Sequence, residues 1–345
     1  MKKLIFKSLA LILFLLIFLC ACSDGKFPSA KFVNLSRSEP SDDIVWELRD
    51  AGEPFLDIGS RESSLNYYRS NYLISSSPPI NWTGAHTTCD PGTTNPELHR
   101  AELERINYFR AMAGVPAQVV FSEESNLRAQ AAALLMSINR DLDHTPPETW
   151  RCYSDLGYQG AASSDLYLRI NGWEAITGYM CDPGTHNYDV GHRRWILYPQ
   201  TKFMGSGNIP ATESYPASNA LVVFDEHIWS PRPDTRDGFV AWPPPGYVPH
   251  PVVFARWSFS YPDADFSHAT VRMLLKGKEL LITQEPIKDG YGENTIVWQL
   301  TDMDSGAYWP VPSRDSRYQI VILNVTIEGQ GQDFSYEVIV FDPNT

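Results

Sequence analysis

Two histidines stand out by the company they keep. His192 lies in Gly191-His192-Arg193-Arg194-Trp195-Ile196-Leu197, a dense aromatic and cationic run, and His144 lies 48 residues earlier in Asp141-Leu142-Asp143-His144-Thr145-Pro146-Pro147. Imidazole is a general base, a metal ligand and, once protonated, a cation. Two such rings converging on one cleft could hold an ion, move a proton or grip a polar ligand. Two imidazoles with one or two carboxylates suit Zn²⁺ at about 2.0–2.2 Å per ligand, provided each ring's other nitrogen is fixed. A hydrolase would instead use His144 or His192 as base with Ser163 or Ser164 as nucleophile, or a zinc-bound water with Asp182 as base. No GxSxG or HExxH pattern occurs to support either chemistry.

The elements that must position these rings are mostly helical. Asn95 can cap a helix that starts with Pro96, carries Leu98, Leu103, Ile106 and Met112, and stops at Gly114. Ser122 caps a second, with Glu123 and Glu124 at its positive end and Leu127, Ala131, Leu134, Leu135 and Ile138 on one face, running to an exit at His144 where Pro146 and Pro147 forbid continuation. Ser163–Ile170 and Gly172–Met180 read as short helices. After His192, Phe203–Ile209 and Leu221–Phe224 are β-type runs, so helices followed by strands predict an α+β layered domain. Trp173, Tyr179 and Trp195 read as core, and Arg193 or Arg194 as pairing with Asp182, Asp189 or Glu174 to hold the loop.

The flanks differ in character. Residues 1–21 read as an export signal: Lys2, Lys3 and Lys7 precede an apolar run of 13 residues, Leu9–Ala21, too short for the roughly 20 residues that span a bilayer. Leu19-Cys20-Ala21-Cys22 resembles the bacterial lipobox, which predicts a lipid on Cys22, a tether over 22–43 and an extracytoplasmic, membrane-anchored site at the cell envelope. The net charge of −13 becomes more negative once the three leader lysines are removed, which argues against nucleic acid as a partner. Of Cys89, Cys152 and Cys181 in an oxidising compartment, Cys89 with Cys152 is the favoured bridge, since both lie in turn-rich segments. Residues 44–240 are read as one domain with an N-terminal extension and a core over 96–226. Five prolines between Trp242 and Pro251 make 241–251 read as a stiff linker. Alternating strands over 252–345 read as an all-β, immunoglobulin-like sandwich, with Asp263, Asp265, Asp302 and Asp304 as turn residues.

Residues 96 to about 226 resemble the CAP superfamily, the cysteine-rich secretory, antigen 5 and pathogenesis-related 1 proteins, in its bacterial lipoprotein branch. The resemblance rests on Arg105-Ile106-Asn107-Tyr108-Phe109-Arg110 with Gly114, on the Ala129–Met136 helix leading to His144, on Val190-Gly191-His192-Arg193-Arg194-Trp195, and on Met204-Gly205-Ser206-Gly207. It implies an α-β-α sandwich with a cleft of two histidines and two acids that holds zinc or another divalent cation in some members. His144 and His192 match the histidines. The chain departs from the family at the acids: Gly160-Ala161-Ala162-Ser163-Ser164-Asp165 lacks the family's glutamate, leaving Asp165 displaced, while Asp182 keeps an acid after Tyr179. The role implied is non-enzymatic binding of an envelope or extracellular partner, lipid or glycan. The alternatives are a hydrolase of peptides or esters, or a structural envelope protein with a vestigial cleft.

Overall fold

The computed structural model describes residues 55–73 and 78–345. The export signal, Cys22, the tether and the first residues of the extension lie outside them. Among the described residues no helix is long and apolar enough to cross a membrane.

The chain enters through α1 (Arg61–Tyr67), continued by a π-helical turn over Tyr68–Tyr72. Then come α2 (Pro96–Ala113), the short β1 (Val120–Phe121), α3 (Glu123–Asn139), α4 (Asp155–Ala162), β2 (Ser164–Leu168), α5 (Gly172–Cys181), α6 (Gly191–Ile196), β3 (Phe203–Ile209) and β4 (Ser218–Val222). The capping residues do what their chemistry suggests: Asn95 accepts from Glu97 N, Ser122 from Ser125 N, and Gly114 closes α2 at φ 73°. The strands form one sheet in the order β1-β3-β4-β2, parallel only at β1–β3. α3 and α4 cover one face and α2 with α5 the other, each over its own apolar cluster. Gly205 and Gly207 are required on β3 because a Cβ at either would meet the α3 backbone at 2.3 and 2.2 Å. The fold is α+β, as expected.

One element differs from its expectation. The helix expected over 163–170 is instead the strand β2, entered from Ser163, the C-cap of α4. Leu166, Leu168 and Ile170 satisfy a strand's alternation as well as a short helix, and periodicity alone cannot separate the two over so few residues.

The second half is a two-sheet β-sandwich: β5 (Val240–Trp242), β6 (Gly246–Pro249), β7 (Trp257–Tyr261), β8 (Thr270–Leu275), β9 (Lys278–Glu279), β10 (Ile282–Gln284), β11 (Asn294–Leu300), β12 (Ser316–Ile327) and β13 (Gln330–Phe341). One sheet runs β10-β11-β7-β5, the other β6-β13-β12-β8-β9. Phe259, Phe334, Trp257 and Tyr318 interlock between them. The proline-rich run 241–251 is therefore not a linker. Its start is β5, paired with β7, and its middle is β6, parallel to β13. Pro243, Pro244 and Pro245 fall between the two strands, where no ladder needs their missing N–H, and Trp242 and Val248 are buried. Asp265 and Asp304 act in turns, accepting from Ser267 N and Gly306 N.

The two halves share one apolar core, in which Phe109 of α2 meets Trp242 and Phe254. The N-terminal extension straddles both: Tyr68 and Tyr72 pack their rings against Tyr108, while Ser64 donates to the Tyr247 carbonyl. Cys89 and Cys152 are bridged, and Cys181 is a buried free thiol.

Candidate functional site

His144 does not sit at the helix end itself. α3 stops at Asn139, with Arg140 in the left-handed region, and His144 follows in a loop turned by Asp143, whose Oδ1 accepts from Thr145 N. Its Nδ1 donates to the carbonyl of Ala161 (3.0 Å), which must accept, so the proton is on Nδ1 and Nε2 carries a free lone pair. His192 is in the first turn of α6. Asp182, the left-handed C-cap of α5, holds it twice: Oδ1 lies 2.7 Å from the ring Nδ1 and Oδ2 accepts from the backbone N at 3.0 Å. The Asp182 side chain is 1 % exposed and that of His192 23 % exposed, so the ring reaches solvent while its anchor does not.

Electrostatics separate the two rings. Burial opposes a charge on His192, but the Asp182 carboxylate, its hydrogen bond to the ring and the nearby acids outweigh it and raise the ring to about 9. Burial pushes His144 below its ordinary value, the Ala161 bond partly offsets this, and the charge on His192 pushes it lower still. At neutral pH His192 is an imidazolium and His144 is neutral. Asp165 is 3 % exposed on β2. Burial drives its carboxyl well above the usual range, and its Oδ2 has no partner. The structure thus places His192 within electrostatic reach of His144, Asp182 and Asp165.

A buried polar network behind the site was not foreseen. Glu102 of α2 accepts on Oε1 from Ser206 Oγ and Asn208 Nδ2 (both 2.9 Å) and from Asn219 Nδ2 (3.3 Å). Asn219 Oδ1 accepts from the Tyr179 hydroxyl (2.8 Å), whose ring lies 5.4 Å from that of His192. Burial raises Glu102 to about 7, against the pull of its Asn208 and Ser206 bonds. The signal existed: Leu98, Glu102, Arg105 or Ile106, and Phe109 share one helical face, so an acid stands in an apolar stripe.

The two arginines after His192 are not loop ion pairs. Arg193 is buried and donates to the carbonyls of Met180 and Arg256 (2.7 and 2.9 Å) and to Ser258 Oγ (3.1 Å). Arg194 donates to the carbonyls of Lys288, Tyr291 and Glu293, with its guanidinium over the Tyr291 ring. From the other side, Arg256 donates to the carbonyls of Asp182 and Asn187. Asp189 pairs with Lys288 and accepts from the Tyr291 hydroxyl, whereas His186 is exposed on a 3-10 turn and joins nothing in the site. The site helix is thus bolted into the β-sandwich.

Residues 103–216, which hold both histidines and Asp182, match the model of CAP, the cysteine-rich secretory protein family. This segment is a CAP domain. No curated protein matches the chain.

Zinc sites take three or four protein ligands. The CAP domain offers two Nε2 atoms. Asp182 spends both oxygens on His192, and Asp165 is held toward its neutral form. Among the described residues no group of three or more His, Cys, Asp or Glu is placed to share an ion. The residues do not fit the metal site that the resemblance suggested for His144 and His192. A hydrolytic set is not assembled either. Ser163 Oγ donates to the carbonyls of Gln159 and Gly160, and Ser164 Oγ is buried without a partner. What the two rings offer is a donor, the His192 Nε2–H, and an acceptor, the His144 Nε2, close enough for the charge on one to act on the other.

Proposed function

We propose that this CAP-domain protein is exported, anchored at the bacterial envelope through a lipid on Cys22, and acts as a binding protein rather than an enzyme, taking a polar group of an envelope partner, lipid or glycan at His144 and His192. One observation carries the reading: both rings are fixed through Nδ1, and neither Nε2 is engaged by a nucleophilic side chain among the described residues. A charged donor on one ring and a neutral acceptor on the other suit a hydroxyl or an amide, which can accept from one and donate to the other. The leader and the Leu19–Cys22 motif support the anchor.

The test has two arms. Growth with a labelled fatty acid should mark the native chain and not Cys22→Ala, which should be released from membranes. Saccharide, lipid and peptide fractions of the envelope should shift the ring resonances of His144 and His192 in native protein, while a panel of peptides and esters is left intact. Turnover that disappears in His144→Ala with His192→Ala would replace this reading with the hydrolase.

A further inference from the structure

The loop that joins β3 to β4 runs beside Arg169. An open groove of about 290 Å³ lies there, lined by Arg169, Glu213 and Tyr215 among others. Arg169 lines it, and Arg140 and Arg151 each bond one of its lining residues, all three arginines being exposed. Arg140 Nη2 donates to the Ser214 carbonyl and Arg151 Nη1 to the Tyr215 hydroxyl, both at 2.7 Å. Their guanidinium carbons lie 5.8 and 5.9 Å from the Tyr215 ring centre. The Arg169 side chain lines the groove with no hydrogen bond or ion pair among the described residues.

In a chain of net charge −13 this is unusual. Several other surface guanidiniums sit on carboxylates, Arg61 on Asp315, Arg128 on Glu124, Arg272 on Glu279 and Arg317 on Glu337, while Arg69 donates to a carbonyl and Arg314 pairs with no acid among the described residues. Arg140, Arg151 and Arg169 pair with no acid among the described residues, so their charges are not neutralised and most of their donors are not spent. The groove is also braced. His86 stacks on Tyr215 at 4.2 Å, its Nε2 lies 2.9 Å from Ser137 Oγ, and that hydroxyl donates to the Pro216 carbonyl. The Cys89–Cys152 bridge ties the segment of His86 to that of Arg151. Arg140 and Arg169 both hold left-handed backbone, at φ 57° and 76°, a conformation costly to a side chain bearing Cβ and concentrated at sites with a role.

Guanidinium groups with unused donors recognise planar oxyanions, carboxylates above all. Glu213, exposed on the same rim, accepts hydrogen bonds from hydroxyls, which a saccharide carries and a bare inorganic anion does not. We propose that the Tyr215 groove binds an acidic saccharide, its carboxylates on Arg140, Arg151 and Arg169 and its hydroxyls toward Glu213. This site is separate from the histidine cleft and does not depend on what binds there.

Calorimetry on the full chain at low salt would use trigalacturonate, its methyl ester and inorganic pyrophosphate. Trigalacturonate should bind and the ester should not. Affinity should fall by about tenfold or more in Arg169→Gln, the scale of one charge-assisted hydrogen bond, and further in Arg140→Gln with Arg169→Gln. Added salt should weaken binding, and His144→Ala with His192→Ala should leave it unchanged. Because the Arg169 side chain makes no hydrogen bond or ion pair, its variant keeps the native melting temperature. No binding of trigalacturonate, equal binding of the ester, stronger binding of pyrophosphate, or native affinity in both arginine variants would each overturn the proposal.

Discussion

Arg193 and Arg256 reach past each other: Arg193 Nη1 donates to the Arg256 carbonyl at 2.9 Å, and Arg256 Nη1 donates to the carbonyl of Asp182 at 2.9 Å. The residue beside His192 is therefore held by the sandwich, and the sandwich in turn holds the residue that orients His192. Position in the site is set by two halves of the chain at once.

Replacing Arg256 with Met strands the carbonyls of Asp182 and Asn187 and leaves Glu285 without its guanidinium. Loss of one partner of a buried charged set costs about 3–5 kcal/mol. Urea unfolding should show a loss on this scale, and the Nδ1–H proton signal of His192 should move, with Arg256→Lys intermediate. A full loss of stability with that proton signal unmoved would show that the lock braces the fold without orienting the ring.

Stability should fall as pH rises. A ring raised to about 9 contributes stability that is complete below its ordinary 6.5 and lost as pH climbs through 9, worth up to about 3 kcal/mol for His192. Glu102, raised from 4.5 to about 7, acts with the same sign: its neutral form is preferred in the folded chain, so stability falls as pH rises through 7. Urea midpoints at pH 5.5, 7 and 9 should decrease in that order. Glu102→Gln should flatten the decline between about 4.5 and 7 and leave the one between 6.5 and about 9. Equal native midpoints at 5.5 and 9 would contradict both assignments.

Much of this arrangement was legible in advance because it is local. Asn95 with Pro96, Ser122 with its two glutamates, and Gly114 each mark a helix end by chemistry within a few residues, and α2 and α3 follow from them. The pairing of Cys89 with Cys152 and the two histidines in one charged neighbourhood were also within reach. The rest is non-local. Prolines at 243–245 masked β5 and β6, since a missing donor says nothing about the residues on either side. The partners of Arg193 and Arg194 are backbone carbonyls, which carry no residue identity to look for. Asp182 keeps an acid in the expected place, but only the folded chain shows that it spends both oxygens on one histidine.

Zinc should distinguish the cleft from a metal centre. With two Nε2 atoms on offer and one ring an imidazolium at neutral pH, titration calorimetry should give the same weak signal for native protein and for His144→Ala with His192→Ala. Tight binding by native protein that vanishes in the double variant would restore the metal site.

The disulfide closes a separation of 63 residues, for which chain entropy gives about 4 kcal/mol. Cys89→Ala with Cys152→Ala should lose that order of stability in guanidinium melts. It should also loosen His86, whose carbonyl lies 3.9 Å from Cys152 Sγ. A loss under about 1 kcal/mol would mean that the unfolded chain is already compact there.

The run Val240–Pro249 hands its first strand to one sheet and its second to the other. There is consequently no seam at which a protease or an engineer could part the CAP domain from the β-sandwich: a cut after Trp242 takes an edge strand from one half, and a cut before Val240 exposes the Trp242 indole that Phe109 covers. Evolutionary shuffling of either half would have to carry this crossing with it.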